Sequence, residues 1–209
     1  ELFREVEFDG SIKNDADINL VTDDSRFVRP GSLFVCIRHR SFDGHTAALD
    51  ALASGAAAVV TQDRLGLENE LRVADSRSAY ARLCAALCNH PERKLRMIGV
   101  TGTNGKTTVT TLIRNILSDS GTKTLLTGTV CNRLGDENLP SGLTTPKPPE
   151  LYSLLSRAVS QRCKACVMEA SSQALAQGRL EDIDFDAAVF TNITRDHLDY
   201  HGTFENYIS

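Results

Sequence analysis

Apolar and polar positions follow one another in blocks that predict strands alternating with helices. Short apolar runs, typical of buried parallel strands, lie at residues 33–37, 57–60, 97–100, 124–127, 166–168 and 187–190. Helical periodicity or helix-start signals mark residues 46–54, 76–89, 106–120 and 148–159, with a short helix near Gln173. This order predicts an α/β fold with a doubly wound, mainly parallel sheet.

A polar segment containing proline divides the chain into two predicted domains. Residues 89–94 read Asn-His-Pro-Glu-Arg-Lys between a predicted helix and a predicted strand. The chain has 209 residues, enough for one large domain or two small ones. We therefore predict a small α/β domain over residues 1–93 and a second α/β domain over residues 94–209.

The segment Gly-Thr-Asn-Gly-Lys-Thr-Thr at residues 102–108 lies between a predicted strand and a predicted helix. Gly102 and Gly105 let the backbone approach a phosphate, Lys106 can neutralise distal phosphates, and the Thr107 hydroxyl can hold Mg²⁺. The standard phosphate loop has a further glycine five residues before the Gly-Lys pair, so this is a shorter variant. An ordinary tight turn is the alternative. Gly-Lys-Thr-Thr at the start of an amphipathic helix favours nucleotide binding.

Several polar residues directly follow predicted strands. They are the phosphate loop, residues 128–129, Glu169 and residues 191–192. In a doubly wound sheet the carboxyl ends of the strands form the ligand-binding edge, so these groups should line one edge. A carboxylate beside a triphosphate is repelled unless it holds Mg²⁺, which predicts a metal-binding role for Glu169.

The segment 191–202 carries Asp196, His197, Asp199 and His201 within six residues. Taken alone it could be a metal cluster, a helix start with acidic capping, or a polar loop, and the capped, solvated loop is favoured. However, this segment follows a strand that should end near the nucleotide, and this position favours a functional role over a solvated loop.

The composition of the chain argues against nucleic acid and membranes as binding partners. The net charge of −4 provides no basic field for nucleic acid or anionic membranes. The apolar runs are too short to span a bilayer and no signal peptide opens the chain, so we expect a cytoplasmic protein and, most simply, a monomer. The six cysteines are expected to be reduced. Cys163 and Cys166 form a C-x-x-C without a second pair, which favours core packing over metal binding.

Motifs along the whole chain resemble those of the Mur ligases, specifically the MurE type. In the first predicted domain they are Thr-Asp-Asp-Ser-Arg at 22–26, Pro-Gly-Ser-Leu-Phe-Val at 30–35 and Asp-Gly-His at 43–45. In the second they are the phosphate loop, Gly-Thr-Val at 128–130, Thr-Thr-Pro at 144–146, Met-Glu-Ala-Ser-Ser at 168–172, Phe-Thr-Asn at 190–192 and Arg-Asp-His-Leu-Asp at 195–199. The MurF type shares the Asp-Ser-Arg and phosphate-loop motifs but lacks this Thr-Thr-Pro.

This resemblance implies a uridine-nucleotide-binding domain followed by a truncated ATPase domain. It implies an ATP-dependent amide ligase of peptidoglycan precursor synthesis that uses Mg²⁺. A carboxylate of UDP-N-acetylmuramoyl-L-alanyl-D-glutamate would attack ATP, and the amine of meso-diaminopimelate or L-lysine would then displace phosphate from the acyl phosphate. The alternatives are another phosphate-loop kinase or NTPase, and a non-catalytic nucleotide-binding module.

The resemblance also implies residue roles. Lys106, Glu169 and His197 would be catalytic, with Thr107 and Glu169 holding one Mg²⁺ and His197 a second. ATP would be bound by Gly102, Thr103, Asn104, Gly105, Lys106, Thr107 and Thr108. Ser25 would contact the uridine diphosphate. The muramoyl-dipeptide end would be held by Thr144, Thr145, Ser171, Gln177 and Arg179.

Each of the substrate residues has a purely structural alternative. Ser25 could brace a turn, Thr144 and Thr145 could be extended linker before proline, Ser171 could cap a helix, and Arg179 could form a surface ion pair.

Two residues depart from the family pattern, and some family features are missing. Gln173 stands where a histidine is usual and Arg38 where glycine is common. Family members carry, beyond the residues present here, a carbamylated lysine for the second Mg²⁺ and an amino-acid-binding domain. We therefore expect this polypeptide alone to lack ligase activity.

Overall fold

The computed structural model describes residues 2–12 and 17–208. The chain splits into two compact units, Glu1–Asn89 and His90–Ser209. The outer limits of the predicted domains, residues 1 and 209, lie outside the described residues. The functional division at residues 93 and 94 stays a prediction.

Unit 1 contains a five-stranded sheet with the order β1-β5-β4-β3-β2, in which β1 is antiparallel to β5 and the other pairs are parallel. The strands are β1 Asp9–Gly10, β2 Leu20–Thr22, β3 Ser32–Val35, β4 Ala56–Thr61 and β5 Glu70–Arg72. The α-helices are α1 Ala48–Ala53 and α2 Ser76–Leu87, and 3-10 helices cover Ser25–Phe27 and Gly44–Ala47.

One part of the core of unit 1 forms between the sheet and α1. Phe34, Cys36 and Val59 are buried in one cluster with Ala48 and Ala51 of the helix. The alanine side chains are small, so the helix packs closely on the sheet. The predicted strands at 33–37 and 57–60 supply this core.

Unit 2 contains a six-stranded sheet with the order β11-β6-β10-β7-β8-β9. The strands are β6 Arg96–Thr101, β7 Thr124–Thr127, β8 Asn132–Leu134, β9 Glu137–Leu139, β10 Ala165–Glu169 and β11 Ala187–Phe190. The helices are α3 Lys106–Asp119, α4 Pro148–Ser160, α5 Ser172–Ala176, α6 Leu198–His201 and α7 Phe204–Ile208, with a 3-10 helix at Pro91–Lys94. The strands from β11 to β7 are parallel, which confirms the predicted α/β fold with a mainly parallel sheet.

A β-hairpin occupies part of the segment after β7 that the sequence analysis left without predicted elements. β8 pairs antiparallel with both β7 and β9, and Gly135 has a φ of 58° in the turn. Asn132 and Leu134 are each 1% exposed, so one face of β8 is buried, whereas β9 lies at the surface. Two strands of three residues carry too little periodicity to be recognised without their neighbours.

All six cysteines are free, in agreement with the predicted reduced state. Burial raises the pKa of Cys166 and of Cys84, and raises the pKa of Cys36 to about 12. Cys163 and Cys166 are both buried, as expected for core packing. Among the described residues, no helix is both long enough and apolar enough to cross a bilayer.

Candidate nucleotide and substrate site

A cavity of about 340 Å³ lies in unit 2 beside the phosphate loop and the carboxyl end of β10. Most of the residues assigned to this unit by the sequence analysis line it: Thr103, Asn104, Gly105, Lys106, Thr107, Thr144, Thr145, Glu169, Ser171, Arg179 and His197. Three assigned residues are not in its lining: Gly102, Thr108 and Gln177. The cavity therefore brings together groups assigned to ATP, metal and substrate.

The phosphate loop is hydrogen-bonded to the residues that directly follow β11. The backbone N–H of Asn104 donates to Asn192 Oδ1 at 3.1 Å, and the Thr191 hydroxyl donates to the Asn104 carbonyl at 2.7 Å. Gly102 and Gly105 have φ angles of 126° and 86°, in the region that favours glycine. α3 starts directly after Gly105, so the loop places a helix N-terminus at the cavity.

Lys106 is held at the wall of the cavity by the loop itself. Its ammonium donates to the carbonyls of Gly102 at 2.6 Å and Thr103 at 3.0 Å. Within the described part of the chain, no carboxylate forms an ion pair with this ammonium. A positive charge that has only neutral carbonyl partners is well suited to bind phosphate.

Glu169 is a buried carboxylate, 1% exposed, at the end of β10. It accepts hydrogen bonds from the Thr129 backbone N–H at 3.0 Å and from the Thr129 hydroxyl at 2.9 Å. No cationic side chain among the described residues pairs with it. Burying a negative charge is costly unless it is neutralised, so the site favours a cation.

Gly128 lies so close to the Glu169 carboxylate that a larger residue would not fit there. A Cβ added at Gly128 would lie 2.3 Å from Glu169 Oε1. Thr129, which orients the carboxylate, was not among the site residues assigned from sequence. The sequence analysis had expected residues 128–129 at this edge because they follow a strand, but it gave Thr129 no role; the structure shows that Thr129 donates to the carboxylate. A buried carboxylate and the Thr107 hydroxyl are oxygen ligands of the kind that Mg²⁺ prefers, so the residues present fit this ion.

The residues assigned to the substrate peptide form a connected group. Arg179 donates to Gln177 Oε1 from Nε at 2.9 Å and from Nη2 at 2.7 Å, and to the Thr145 carbonyl at 2.7 Å. Gln177 thus reaches the cavity through Arg179. Ser171 caps α5, as its structural alternative proposed, and it also lines the cavity. Capping and ligand binding are therefore compatible at Ser171.

The segment around His197 is joined to the phosphate loop. The Tyr207 hydroxyl lies 2.8 Å from Thr103 Oγ1, and the Thr103 hydroxyl donates to the Thr194 carbonyl at 3.1 Å. His197 has a φ of 52° and lines the cavity, whereas His201 lies 3.1 Å from the Ser172 hydroxyl. The two histidines stay close, since the His201 backbone N–H donates to the His197 carbonyl at 2.9 Å, but of the two only His197 lines the cavity.

In unit 1, Ser25 is exposed and begins a 3-10 helix. The Asp24 side chain caps this helix through the Arg26 backbone N–H and forms an ion pair with the Arg26 guanidinium at 2.6 Å. Arg38, one of the departures from the family pattern, forms ion pairs with Asp43 and Asp63. The turn around Ser25 is thus braced, with the Ser25 side chain on the surface.

The Asp-Gly-His motif holds a buried histidine. The His45 ring lies 2.6 Å from Asp43 Oδ1 through Nδ1, and its Nε2 accepts from the Gln62 backbone N–H at 3.0 Å. Burial opposes ionisation of Asp43, but hydrogen bonds from His45 and from Arg38 outweigh it and lower the pKa of this carboxyl to about 2. These contacts give the motif a structural role in closing the turn at residues 38–43.

Two family models match the chain. "Mur ligase middle domain" matches residues 100–209, and "Mur ligase family, catalytic domain" matches residues 17–89. Among curated proteins, the UDP-N-acetylmuramoyl-L-alanyl-D-glutamate--2,6-diaminopimelate ligase of Geobacillus kaustophilus is 46% identical over 192 residues, which is 91% of this chain and 39% of that protein. The ligase of the same name from Clostridium botulinum is 38% identical, over 100% of this chain and 44% of its own length. The chain thus spans about two fifths of the relatives it matches.

Solved structures of Mur ligases are also similar to this chain. A UDP-N-acetylmuramoyl-L-alanyl-D-glutamate--2,6-diaminopimelate ligase superposes with a TM-score of 0.78 at 34% identity, covering 94% of this chain and 41% of that one. MurF ligase from Thermotoga maritima in complex with ADP superposes with a TM-score of 0.56 at 23% identity, covering 93% of this chain and 42% of that one. The second likeness is one of fold.

Proposed function

Because the chain belongs to the Mur ligase family, we propose that it forms the nucleotide- and substrate-binding part of an ATP-dependent ligase. The proposed substrate is UDP-N-acetylmuramoyl-L-alanyl-D-glutamate, and the proposed added amino acid is diaminopimelate. Both are taken from the names of the relatives. Unit 1 would bind the uridine nucleotide, with Ser25 as a contact, and unit 2 would bind ATP.

The main support for this proposal is that two opposite charges line the same cavity and form no ion pair with each other. Lys106 has neutral carbonyl partners and Glu169 has neutral Thr129 donors, yet both line the same space. If the ammonium and the carboxylate had only a structural role, we would expect them to form an ion pair with each other. Separate binding of a phosphate by the ammonium and of a metal ion by the carboxylate accounts for both groups.

The proposed reaction brings two anions together. A carboxylate of the substrate attacks the γ-phosphate of ATP, the bond to the β-phosphate oxygen breaks, and ADP leaves with the negative charge. Lys106 would stabilise the transferring phosphoryl group, and the loop N–H groups would orient it. One Mg²⁺ held by Thr107 and Glu169, and a second held by His197, would supply further positive charge. The amine of the added amino acid would then displace phosphate to form the amide.

The substrate peptide would be held by residues of the same cavity that lie outside the phosphate loop. Arg179 supplies a guanidinium suited to a carboxylate, and Thr144, Thr145 and Ser171 supply hydroxyls. Gln177 would act by holding Arg179. The cytoplasm provides ATP and nucleotide-linked precursors, so we expect the reaction there, and a monomer suffices for it.

Isothermal titration tests this proposal. UDP-N-acetylmuramoyl-L-alanyl-D-glutamate is titrated into the chain with a non-hydrolysable ATP analogue and Mg²⁺ present, and UDP-N-acetylglucosamine serves as the ligand without the peptide. We expect tighter binding of the muramoyl ligand and loss of that preference in Arg179→Ala. Arg157→Ala is the matched control, since Arg157 of α4 pairs with Glu137 of β9 and does not line the cavity. Equal binding of the two ligands would contradict the proposal.

A further inference from the structure

Tyr200 lies outside the lining of the candidate site, but its hydroxyl is linked by hydrogen bonds to the guanidinium in that site. The Gln177 side-chain nitrogen Nε2 donates to the Tyr200 hydroxyl at 3.1 Å. Gln177 Oε1 in turn accepts from Arg179 Nε at 2.9 Å and from Arg179 Nη2 at 2.7 Å. A row of hydrogen bonds therefore runs from α6 through Gln177 to the Arg179 guanidinium.

We propose that Tyr200 is a positioning residue that fixes the Arg179 guanidinium for a carboxylate of the substrate peptide, acting through Gln177. This inference rests on the proposed function. Tyr200 is outside the cavity lining, so its hydroxyl would act on the ligand through its neighbours. An amide nitrogen carries two hydrogens, so the bond to Tyr200 is compatible with a direct contact between Gln177 and the ligand.

The neighbouring donors and acceptors determine the orientation of the Gln177 amide. A guanidinium has only donors, so the atom that accepts two hydrogen bonds from Arg179 must be the amide oxygen. The amide nitrogen then lies on the side of Tyr200, where the phenol oxygen is its acceptor. A phenylalanine at position 200 would remove this acceptor, and the amide could then turn away from Arg179.

Arg179 has a long side chain that must be ordered before it can hold a carboxylate. Its Nη1 donates to the Thr145 carbonyl at 2.7 Å, so the guanidinium is held by this carbonyl and by Gln177. Ordering such a side chain costs rotamer entropy, and a guanidinium that is already in place binds its ligand more tightly. A less restrained Gln177 would therefore weaken peptide binding even though Arg179 itself is still present.

The helix that carries Tyr200 is itself held in place. His201 Nε2 lies 3.1 Å from the hydroxyl of Ser172 in α5, and the ring centroids of Tyr200 and His201 are 4.8 Å apart. α6 begins directly after His197, which lines the cavity. The segment that carries a proposed metal ligand therefore also supports the arginine proposed to bind the peptide.

Tyr200→Phe tests the inference, because it removes the hydroxyl and keeps the ring that packs against His201. In isothermal titrations we expect it to weaken UDP-N-acetylmuramoyl-L-alanyl-D-glutamate by about threefold to tenfold, the range for one hydrogen bond. Binding of UDP-N-acetylglucosamine, which lacks the peptide, and of an ATP analogue with Mg²⁺ should be unchanged. No loss for the muramoyl ligand, or an equal loss for all three ligands, would overturn the inference.

Tyr207→Phe is the matched comparison. The Tyr207 hydroxyl lies 2.8 Å from Thr103 Oγ1 in the phosphate loop, and Tyr207, like Tyr200, is outside the cavity lining. We expect this variant to weaken the ATP analogue and to leave the muramoyl ligand, titrated without nucleotide, unchanged. If it weakened the muramoyl ligand as much as Tyr200→Phe does, the effect would belong to the whole segment and the positioning role would be wrong.

A double-mutant cycle shows whether Tyr200 acts through Arg179. In the Arg179→Ala background, Tyr200→Phe should not weaken the muramoyl ligand further, because the group that Tyr200 positions is absent. A loss of the same size in both backgrounds would show that Tyr200 acts independently of Arg179, and would contradict the inference.

A measurement without ligand separates this inference from the proposed function. The Arg179 Nε–H signal is identified in heteronuclear NMR spectra by its absence from Arg179→Ala. In Tyr200→Phe this hydrogen should exchange with water at least about threefold faster, since Gln177 holds it less firmly. An unchanged rate would refute the positioning role. If the wild-type chain binds the muramoyl ligand no better than UDP-N-acetylglucosamine, the proposed substrate is wrong, and this exchange rate still decides the role of Tyr200.

Discussion

Replacing Gly102 with alanine should damage the phosphate loop far more than the same change at Gly105. Both glycines have positive φ angles, 126° and 86°. A Cβ at Gly102 would lie 2.2 Å from Thr191 Oγ1 and 2.7 Å from the Asn192 carbonyl oxygen. At Gly105 the nearest atoms are 4.0 Å away. Both variants therefore carry backbone strain, and Gly102→Ala adds a steric overlap that Gly105→Ala lacks.

The magnitudes follow from these distances. A left-handed conformation costs an L-residue roughly 1–2 kcal/mol, which applies at Gly105, and the φ of 126° at Gly102 lies further from that region, so its cost is at least as large. Overlap in a packed region adds roughly 1–3 kcal/mol at Gly102 alone. We thus expect a local destabilisation of about 2–5 kcal/mol for Gly102→Ala and about 1–2 kcal/mol for Gly105→Ala.

Hydrogen exchange measured by mass spectrometry is the suitable assay, because two units need not unfold in one transition. The peptide covering residues 97–104 should lose much more protection in Gly102→Ala than in Gly105→Ala. Peptides from unit 1 should exchange as in the wild type and serve as the internal control. Equal loss of protection in the two variants would refute the argument from steric overlap.

Three further predictions concern single side chains. Gly128→Ala should lower Mg²⁺-dependent nucleotide affinity by about tenfold in titrations, because its Cβ would meet the Glu169 carboxylate at 2.3 Å, whereas Gly142→Ala, with nothing within 4 Å, should not. The folded pKa of Asp43, about 2, lies below the ordinary value of 3.8, so its carboxylate stabilises the fold above about pH 3.8 and this contribution is lost as the pH falls toward 2. The difference in unfolding free energy between wild type and Asp43→Asn should therefore shrink over that window in urea titrations, and a constant difference would contradict it. Cys36, whose pKa burial raises to about 12, should resist iodoacetamide in the native protein at mildly alkaline pH, and labelling as fast as in urea would be inconsistent with its burial.

Much of the fold could be predicted because its main strands are continuous apolar runs. The strands at 124–127 and 187–190 have the predicted limits. β1, β2 and β5 have two or three residues each and were not predicted. Such short segments become strands by pairing with distant neighbours, and local periodicity does not carry that information.

In the candidate site, too, the contiguous motif could be predicted from the sequence, whereas contacts between residues far apart in the chain could not. The phosphate loop is contiguous, so its glycines, Lys106 and Thr107 could be read directly. The hydrogen bonds between Thr129 and Glu169 join residues 40 positions apart, and the bond between Thr103 and Tyr207 spans 104 positions. These contacts depend on which strands are neighbours, and the sequence alone did not give the order of β7, β10 and β6.

The most direct test of the account is a crystal structure of the chain with a non-hydrolysable ATP analogue, Mn²⁺ and UDP-N-acetylmuramoyl-L-alanyl-D-glutamate. Anomalous scattering locates Mn²⁺, which takes the oxygen ligands of Mg²⁺. We predict Mn²⁺ bound to Thr107 and Glu169, the triphosphate on Lys106, and the peptide carboxylate beside Arg179. Mn²⁺ and triphosphate bound away from Glu169 and Lys106 would contradict the central claim.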